Sequence, residues 1–212
     1  MVSGSDSSSH PETIGVLLAG GLARRMGGGD KPLIKIGNLS ILERVKAVLA
    51  PQCAGLILSA NGDPARFAFT GLPVVPDTVP DFAGPLAGIL AALDWTAENR
   101  PGVDWVVSVA TDTPFLPADL VARLHAAREA AETPLAQAES GGRAHPVNAL
   151  WKVSLRDELR ASLAAGERKI AAWAAGYGVV NAVWGTDPVD PFFNVNTPQE
   201  AAEAELLLAG QS

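Results

Sequence analysis

The amino-acid sequence predicts an α/β fold, a three-layer α/β/α sandwich built on a mostly parallel sheet. Two patterns and a size argument lead there. Short runs of Val, Ile and Leu alternate with longer alanine-rich stretches of helical period, as in strands joined by crossover helices. The runs are apolar almost throughout, so both faces of the sheet must be covered. A chain of 212 residues with 48% hydrophobic content can bury roughly 70% of its unfolded surface, enough for one mixed core.

The elements follow in order. "TIGVLLA" (Thr13 to Ala19), "GLILSA" (Gly55 to Ala60), "LPVVP" (Leu72 to Pro76) and "DWVVSVA" (Asp104 to Ala110) are the expected buried strands. Helices are expected at about Ser40 to Ala50, Pro85 to Trp95 and Pro117 to Ala131, the last with proline in a first-turn position. Beyond Thr133 the pattern loosens. "PLAQAES" and "AHPVNALWK" predict two strands flanking the turn "SGGR", and helices follow near Ser154 to Ala165 and Arg168 to Ala175. A last strand "YGVVNAVW" precedes a terminal helix that Thr197 can cap and Pro198 can open. The expected organisation is a disordered tail over residues 1–12 and one domain over 13–210. Ligands of such open sheets bind beyond the carboxyl ends of the strands.

Composition excludes several classes. A net charge of −7 and a pI near 4.9 argue against a nucleic-acid surface, which carries a basic excess. The single Cys53 rules out an internal disulfide or multi-cysteine metal site and suits a reducing compartment. It is expected as a small buried apolar residue. The opening "MVSGSDSSSHPET" lacks the charged start and apolar centre of a signal peptide. No apolar run approaches the roughly 18 residues of a membrane span. A cytoplasmic protein, bound to neither nucleic acid nor membrane, is the expectation.

One segment departs from the bulk charge. "LLAGGLARRMGGGDK" follows the first strand, and from Gly20 to Lys35 it carries four cations (Arg24, Arg25, Lys31, Lys35) against one acid, Asp30. Its five glycines permit backbone angles that bring N–H groups close to an oxyanion. Basic charge and close backbone together suit a polyphosphate. The segment fails the Walker A pattern, because Lys31 sits between Asp30 and Pro32, and it lacks the spacing and following helix of a dinucleotide fingerprint.

Other residues are expected at the same rim. Asp112 lies just past the strand ending at Ala110, where a carboxylate can hold Mg²⁺ or cap the helix expected near Pro117. Asn61 ends the second strand and Asp77 follows the third; each is a turn residue or an acceptor for the N–H donors of a base such as guanine. Gly84 and Gly88 in "FAGPLAGI" serve either close approach to a ligand or tight helix packing. His145 stands before a proline in a strand, where a structural role competes with one near an acceptor. Trp151, Trp173 and Trp184 are expected in the core or at its rim.

The pattern L-A-G-G-x-A-x-R-M-G-x-x-D-K resembles the signature of nucleotidyltransferases, and specifically that of the molybdenum cofactor guanylyltransferase family. Six further segments support the resemblance in order: "SAN", "PDTVPDFAGPLAGI", "ATDTPFLP", "HPVNALW", "AGERKI" and "FNVNTPQE". It spans about Ile14 to Leu208. It implies the Rossmann-like fold of nucleotide-diphospho-sugar transferases and transfer of GMP from GTP to the terminal phosphate of the molybdenum-molybdopterin cofactor, with Mg²⁺. The implied GTP-binding residues are Leu18, Ala19, Gly20, Gly21, Lys31, Asn61, Asp77 and Asp112. Arg25, Lys31 and Asp112 are the implied catalytic residues. Asp112 and Asn196 are the implied metal ligands, with Asn194 as the competing asparagine and a turn role as the competing reading. Cofactor insertion and chaperone proteins are the implied partners. Three alternatives stand beside this one: a cytidylyltransferase, which usually carries L-A-A-G, a nucleotidyltransferase for another phosphate acceptor, and an inactive nucleotide-binding regulator.

Overall fold

The computed structural model describes residues 10–20, 31–78 and 84–210. Residues 1–9 of the expected tail lie outside the described residues. A seven-stranded sheet forms from β1 (Thr13–Leu18), β4 (Gly55–Ser59), β5 (Val74–Val75), β6 (Trp105–Ala110), β7 (Leu135–Ser140), β8 (Arg143–Lys152) and β9 (Val180–Trp184). Their order is β5-β4-β1-β6-β8-β7-β9. The pairs β1·β4, β1·β6, β4·β5 and β7·β9 are parallel, and only β8 runs against its neighbours β6 and β7.

Strand alternation decides the two cores. Leu17, Leu58, Val107 and Val109 point to one face, where α1 (Ile41–Leu49), α3 (Leu120–Ala130) and α6 (Pro198–Ala209) pack. Ile14, Val16, Ile57 and Val106 point to the other, under α2 (Pro85–Asn99), α4 (Arg156–Ala164) and α5 (Ile170–Ala175). Successive side chains of a strand point to opposite faces, so two helix layers are required to keep these runs dry. This is the three-layer sandwich predicted.

Local chemistry sets the element ends. Ser40 and Glu43 form a reciprocal capping box at the start of α1. Pro85 opens α2 and Pro198 opens α6, where the Thr197 hydroxyl accepts the Glu200 N–H at 3.2 Å. Gly141 and Gly142 join β7 to β8 with φ of 55° and 74°, the positive pair that a two-residue hairpin of this hand requires.

Two expectations are corrected. The helix expected from Pro117 begins at Leu120, because the Pro117 carbonyl instead accepts the Leu120 N–H (3.3 Å) and the Gln52 side-chain amide (3.2 Å). The strand expected from Leu72 to Pro76 shrinks to Val74–Val75, since the flanking prolines cannot donate to a ladder. The short hairpin of β2 (Lys35–Ile36) and β3 (Leu39–Ser40) and the 3₁₀ segment Pro64–Thr70 were not foreseen. Among the described residues no helix is long and apolar enough to cross a membrane.

Candidate active site

The carboxyl ends of the parallel strands surround a cavity of about 410 Å³. Its floor lies between β1 and β6. There the chain leaves β1 for α1 on one face and enters β6 from α2 on the other, the switch point at which open α/β sheets bind ligands. Leu18, Gly20 and Pro32 form one wall, and Ser59, Asn61 and Asp77 a second. Gly84, Pro85 and Gly88 bring the start of α2 to the rim, while Ala110, Thr111, Asp112 and Val147 close the far side. Five of the residues expected in the nucleotide site, Leu18, Gly20, Asn61, Asp77 and Asp112, thus face one space. Ala19 is buried between two of them, with its N–H donated to the Ser59 carbonyl at 2.9 Å.

The turn carrying Asp112 is held from several directions. The Thr111 hydroxyl donates to the Leu18 carbonyl (2.9 Å), bridging the crevice between β1 and β6. The Thr113 hydroxyl donates to the Ala110 carbonyl (3.0 Å), and the Val195 N–H donates to the Asp112 carbonyl (2.8 Å). Asp112 lies seven residues before the Asp119 N-cap of α3, so it caps no helix there.

Asn61 and Asp77 form a reciprocal pair. Asn61 Nδ2 donates to Asp77 Oδ2 (2.7 Å), and the Asp77 N–H donates to Asn61 Oδ1 (2.9 Å). The Ala60 N–H donates to the Val75 carbonyl (3.2 Å), so the side chain of Asn61 continues the β4·β5 ladder past its last backbone bond. Arg66 donates to the Asn61 carbonyl at 2.6 Å.

Gly88 answers the question of close packing. A Cβ there would stand 2.5 Å from Ser59 Oγ and 2.9 Å from the Leu18 side chain. Helix α2 therefore approaches the strand ends only because this position lacks a side chain.

The segment between β9 and α6 reaches the site through Val195. Asn196 does not line the cavity; it follows the residue bound to Asp112, and its N–H donates to Glu200 Oε2 (2.6 Å). His145 braces the same segment from below. Its ring stacks on Phe192 at 4.8 Å, and its Nε2 lies 2.8 Å from Ser140 Oγ, which donates to Asp190 Oδ1 (2.7 Å). Since the Ser140 proton goes to Asp190, His145 Nε2 is the donor to Ser140. Burial lowers the His145 pKa below the ordinary imidazole value. This is a packing role, in keeping with a histidine before proline in a strand.

Gly21, Arg24 and Arg25, with the side chain of Lys31, lie outside the described residues. The three tryptophans are core residues with satisfied indoles: Trp151 donates to Ser108 Oγ (2.8 Å), Trp173 to Ser162 Oγ (3.1 Å) and Trp184 to Asp119 Oδ1 (2.9 Å). Burial pushes the Cys53 thiol up to about 12, which keeps it protonated and unreactive.

Sequence reasoning missed Ser108 and Asn148, which tie β8 to the end of β6. The Ser108 hydroxyl donates to the Val147 carbonyl (2.6 Å), and Asn148 Oδ1 accepts the Ala110 N–H (2.9 Å). The signal was Pro146 inside a predicted strand, which marks a bulge or an edge.

A protein-family profile described as the MobA-like NTP transferase domain matches residues 15–178. A molybdenum cofactor guanylyltransferase of Nitrobacter hamburgensis is 63% identical over 200 residues, 94% of this chain and 96% of that protein. One from a Bradyrhizobium species is 57% identical over 204 residues, 96% of each chain. Among solved structures, molybdopterin-guanine dinucleotide biosynthesis protein A from Archaeoglobus fulgidus shares the fold with a TM-score of 0.73 at 22% identity, covering 93% of this chain and 99% of that one. A CMP:2-keto-3-deoxy-manno-octonic acid synthetase shares it with a TM-score of 0.68 at 14% identity, covering 95% of this chain and 100% of that one. With a profile match over most of its length and curated relatives above half identity, the chain belongs to the molybdenum cofactor guanylyltransferase family of MobA-like nucleotidyltransferases.

Proposed function

We propose that this chain transfers GMP from GTP to the terminal phosphate of the molybdenum-molybdopterin cofactor in the cytoplasm, forming the guanine dinucleotide cofactor and releasing pyrophosphate. The observation that carries the reading is the convergence of Gly20, Asn61, Asp77 and Asp112 on one cavity at the β1/β6 crevice. Family membership supplies the reaction class.

In this reading the acceptor phosphate oxygen attacks the α-phosphorus of GTP, its new P–O bond replacing the bond to pyrophosphate. Such a transfer needs positioning and charge stabilisation more than a protein nucleophile. Leu18, Ala19, Gly20 and Gly21 are the GTP-binding residues of this reading, the two glycines allowing close approach to the phosphates. Arg25 and Lys31 neutralise the triphosphate and the departing pyrophosphate. Asp77, held by Asn61, accepts the base N–H donors of guanine.

The donor set fits Mg²⁺, a hard cation that binds nucleotides through one or two carboxylates together with phosphate oxygens. Among the described residues there is no group of three or more His, Cys, Asp or Glu that could hold a metal ion, and in this reading phosphate oxygens of the substrate would supply the remaining ligands. Asp112, which lines the cavity, would hold the ion on the protein side, joined by Asn196, which follows the residue bonded to the Asp112 carbonyl and lies outside the cavity lining. When bound, the cation supplies charge stabilisation at the α-phosphate and at the leaving oxygen.

The experiment is pyrophosphate release with Mg²⁺, molybdopterin-type acceptor and each NTP in turn. GTP is expected to give the fastest release and Asp112→Ala to abolish it. Preference for CTP would assign the chain to cytidylyl transfer, and failure of every NTP to release pyrophosphate would refute the reading.

A further inference from the structure

Strand β8 carries an interruption at one place, and that place faces the cavity. Gln137 and Ala138 are adjacent on β7, yet their partners on β8 are Ala149 and His145. Pro146, Val147 and Asn148 therefore have no partner on β7. Pro146 has no N–H to give to a ladder, so a bulge is the form that admits it. The same interruption ends the pairing with β6, whose last partners are Ser108 and Ala149.

Strand β6 continues two residues further, to Ala110. Its far edge pairs with Leu18 of β1, but its near edge has lost the backbone of β8. The Ala110 N–H finds Asn148 Oδ1 at 2.9 Å instead. Asn148 is 3% exposed, so this bond is dry, and a buried N–H deprived of its acceptor is costly. Val147, the preceding residue, lines the cavity, and its carbonyl is held by Ser108 at 2.6 Å. Bulges of this kind re-aim side chains beside functional sites.

We propose that Asn148 is a positioning residue: through the Ala110 N–H it fixes the direction in which β6 delivers Asp112 into the cavity, and so sets the affinity for the metal–nucleotide complex. Ala110 is two residues before Asp112. Its N–H is held by Asn148 and its carbonyl by Thr113, while Thr111 is tied to Leu18 and the Asp112 carbonyl to Val195. Four polar contacts therefore hold three successive residues, and the one from Asn148 alone comes from the strand that also builds the Val147 wall. Asn148 thereby ties that wall to the residue two positions before the carboxylate, beside the Ser108 bond to the Val147 carbonyl. The proposal rests on the reading of Asp112 as the metal carboxylate.

The test uses the full chain with Mn²⁺ and GTP as probes. Asn148→Leu keeps the volume and removes the acceptor; Asn148→Asp keeps an acceptor oxygen. Loss of one hydrogen bond corresponds to a change of about fivefold to tenfold, and amide exchange reports it locally. In the unmodified chain the Ala110 amide is expected to exchange as slowly as that of Val109. In Asn148→Leu it is expected to exchange about tenfold faster, with Mn²⁺ binding in the presence of GTP weakened about fivefold. Asn148→Asp is expected to retain the Ala110 protection. Three results would each overturn the proposal: rapid Ala110 exchange in the unmodified chain, Mn²⁺ affinity unchanged in Asn148→Leu despite lost protection, or equal loss of protection in both variants. If Asn148→Leu does not fold, Asn148→Ser takes its place with the same expectations. An unmodified chain that binds no Mn²⁺ with GTP would refute the metal reading of Asp112, and the exchange measurement would still judge the brace.

Discussion

Asn61 and Asp77 bind each other twice, side chain to side chain at 2.7 Å and backbone N–H to side-chain oxygen at 2.9 Å. One amide oxygen of Asn61 and one of its protons are thereby committed to Asp77 rather than to a base. Asn61→Ala is expected to raise KM for GTP about tenfold by loosening Asp77, with kcat changed much less, because a bond of this kind contributes on the order of 1 kcal/mol. Asp77→Ala is expected to raise it further and to weaken discrimination between GTP and ATP. Steady-state kinetics with both nucleotides checks the order of the two variants.

The approach of α2 to the strand ends depends on a missing side chain at position 88. Gly88→Ala places a methyl 2.5 Å from Ser59 Oγ and 2.9 Å from the Leu18 side chain. Overpacking of this size costs about 1–3 kcal/mol, and both crowded residues line the cavity. The variant is expected to melt several degrees lower and to bind GTP more weakly. Calorimetry and nucleotide titration read the two effects separately.

Ser108 has two buried partners, the Val147 carbonyl and the Trp151 indole N–H. Ser108→Ala strips both at once. The expected loss of stability is about 1–3 kcal/mol, the usual penalty for leaving a buried donor unsatisfied. Ser108→Thr restores the hydroxyl, and denaturant unfolding of the two variants shows whether the bond or the space matters.

His125 is buried against Thr13, with His10 stacked on its face at 5.2 Å, Trp105 against its edge and Arg128 nearby. Burial, reinforced by His10 and Arg128, pushes its pKa down to about 3. Below a pH near 6.5 the unfolded chain takes up a proton that the folded chain refuses. Stability is therefore full above that pH and falls as pH drops toward 3. The expected loss at pH 4.5 is on the order of 2 kcal/mol, and it should shrink in His125→Asn. Urea unfolding between pH 7 and 4.5 measures both slopes.

The alternation of Val/Ile/Leu runs with alanine-rich helices determined the layers, because a strand buried on both faces has no polar alternative. Capping residues such as Ser40, Glu43 and Thr197, and prolines such as Pro85 and Pro198, marked helix starts because their chemistry is local. The order of Gly20, Asn61, Asp77 and Asp112 along the chain placed each after a strand, and so at one sheet edge. Pro117 misled for the same local reason, since proline suits a turn as well as a first helical turn. What the tertiary structure decided was how these residues depend on one another. The pairing of Asn61 with Asp77, the closeness allowed by Gly88, and the reach of Val195 to Asp112 join residues 16 to 83 positions apart or pack a helix on strand ends. Asn148 became legible only once β8 was seen to bulge beside β6, because a strand bond replaced by a side chain leaves no periodic trace in the sequence.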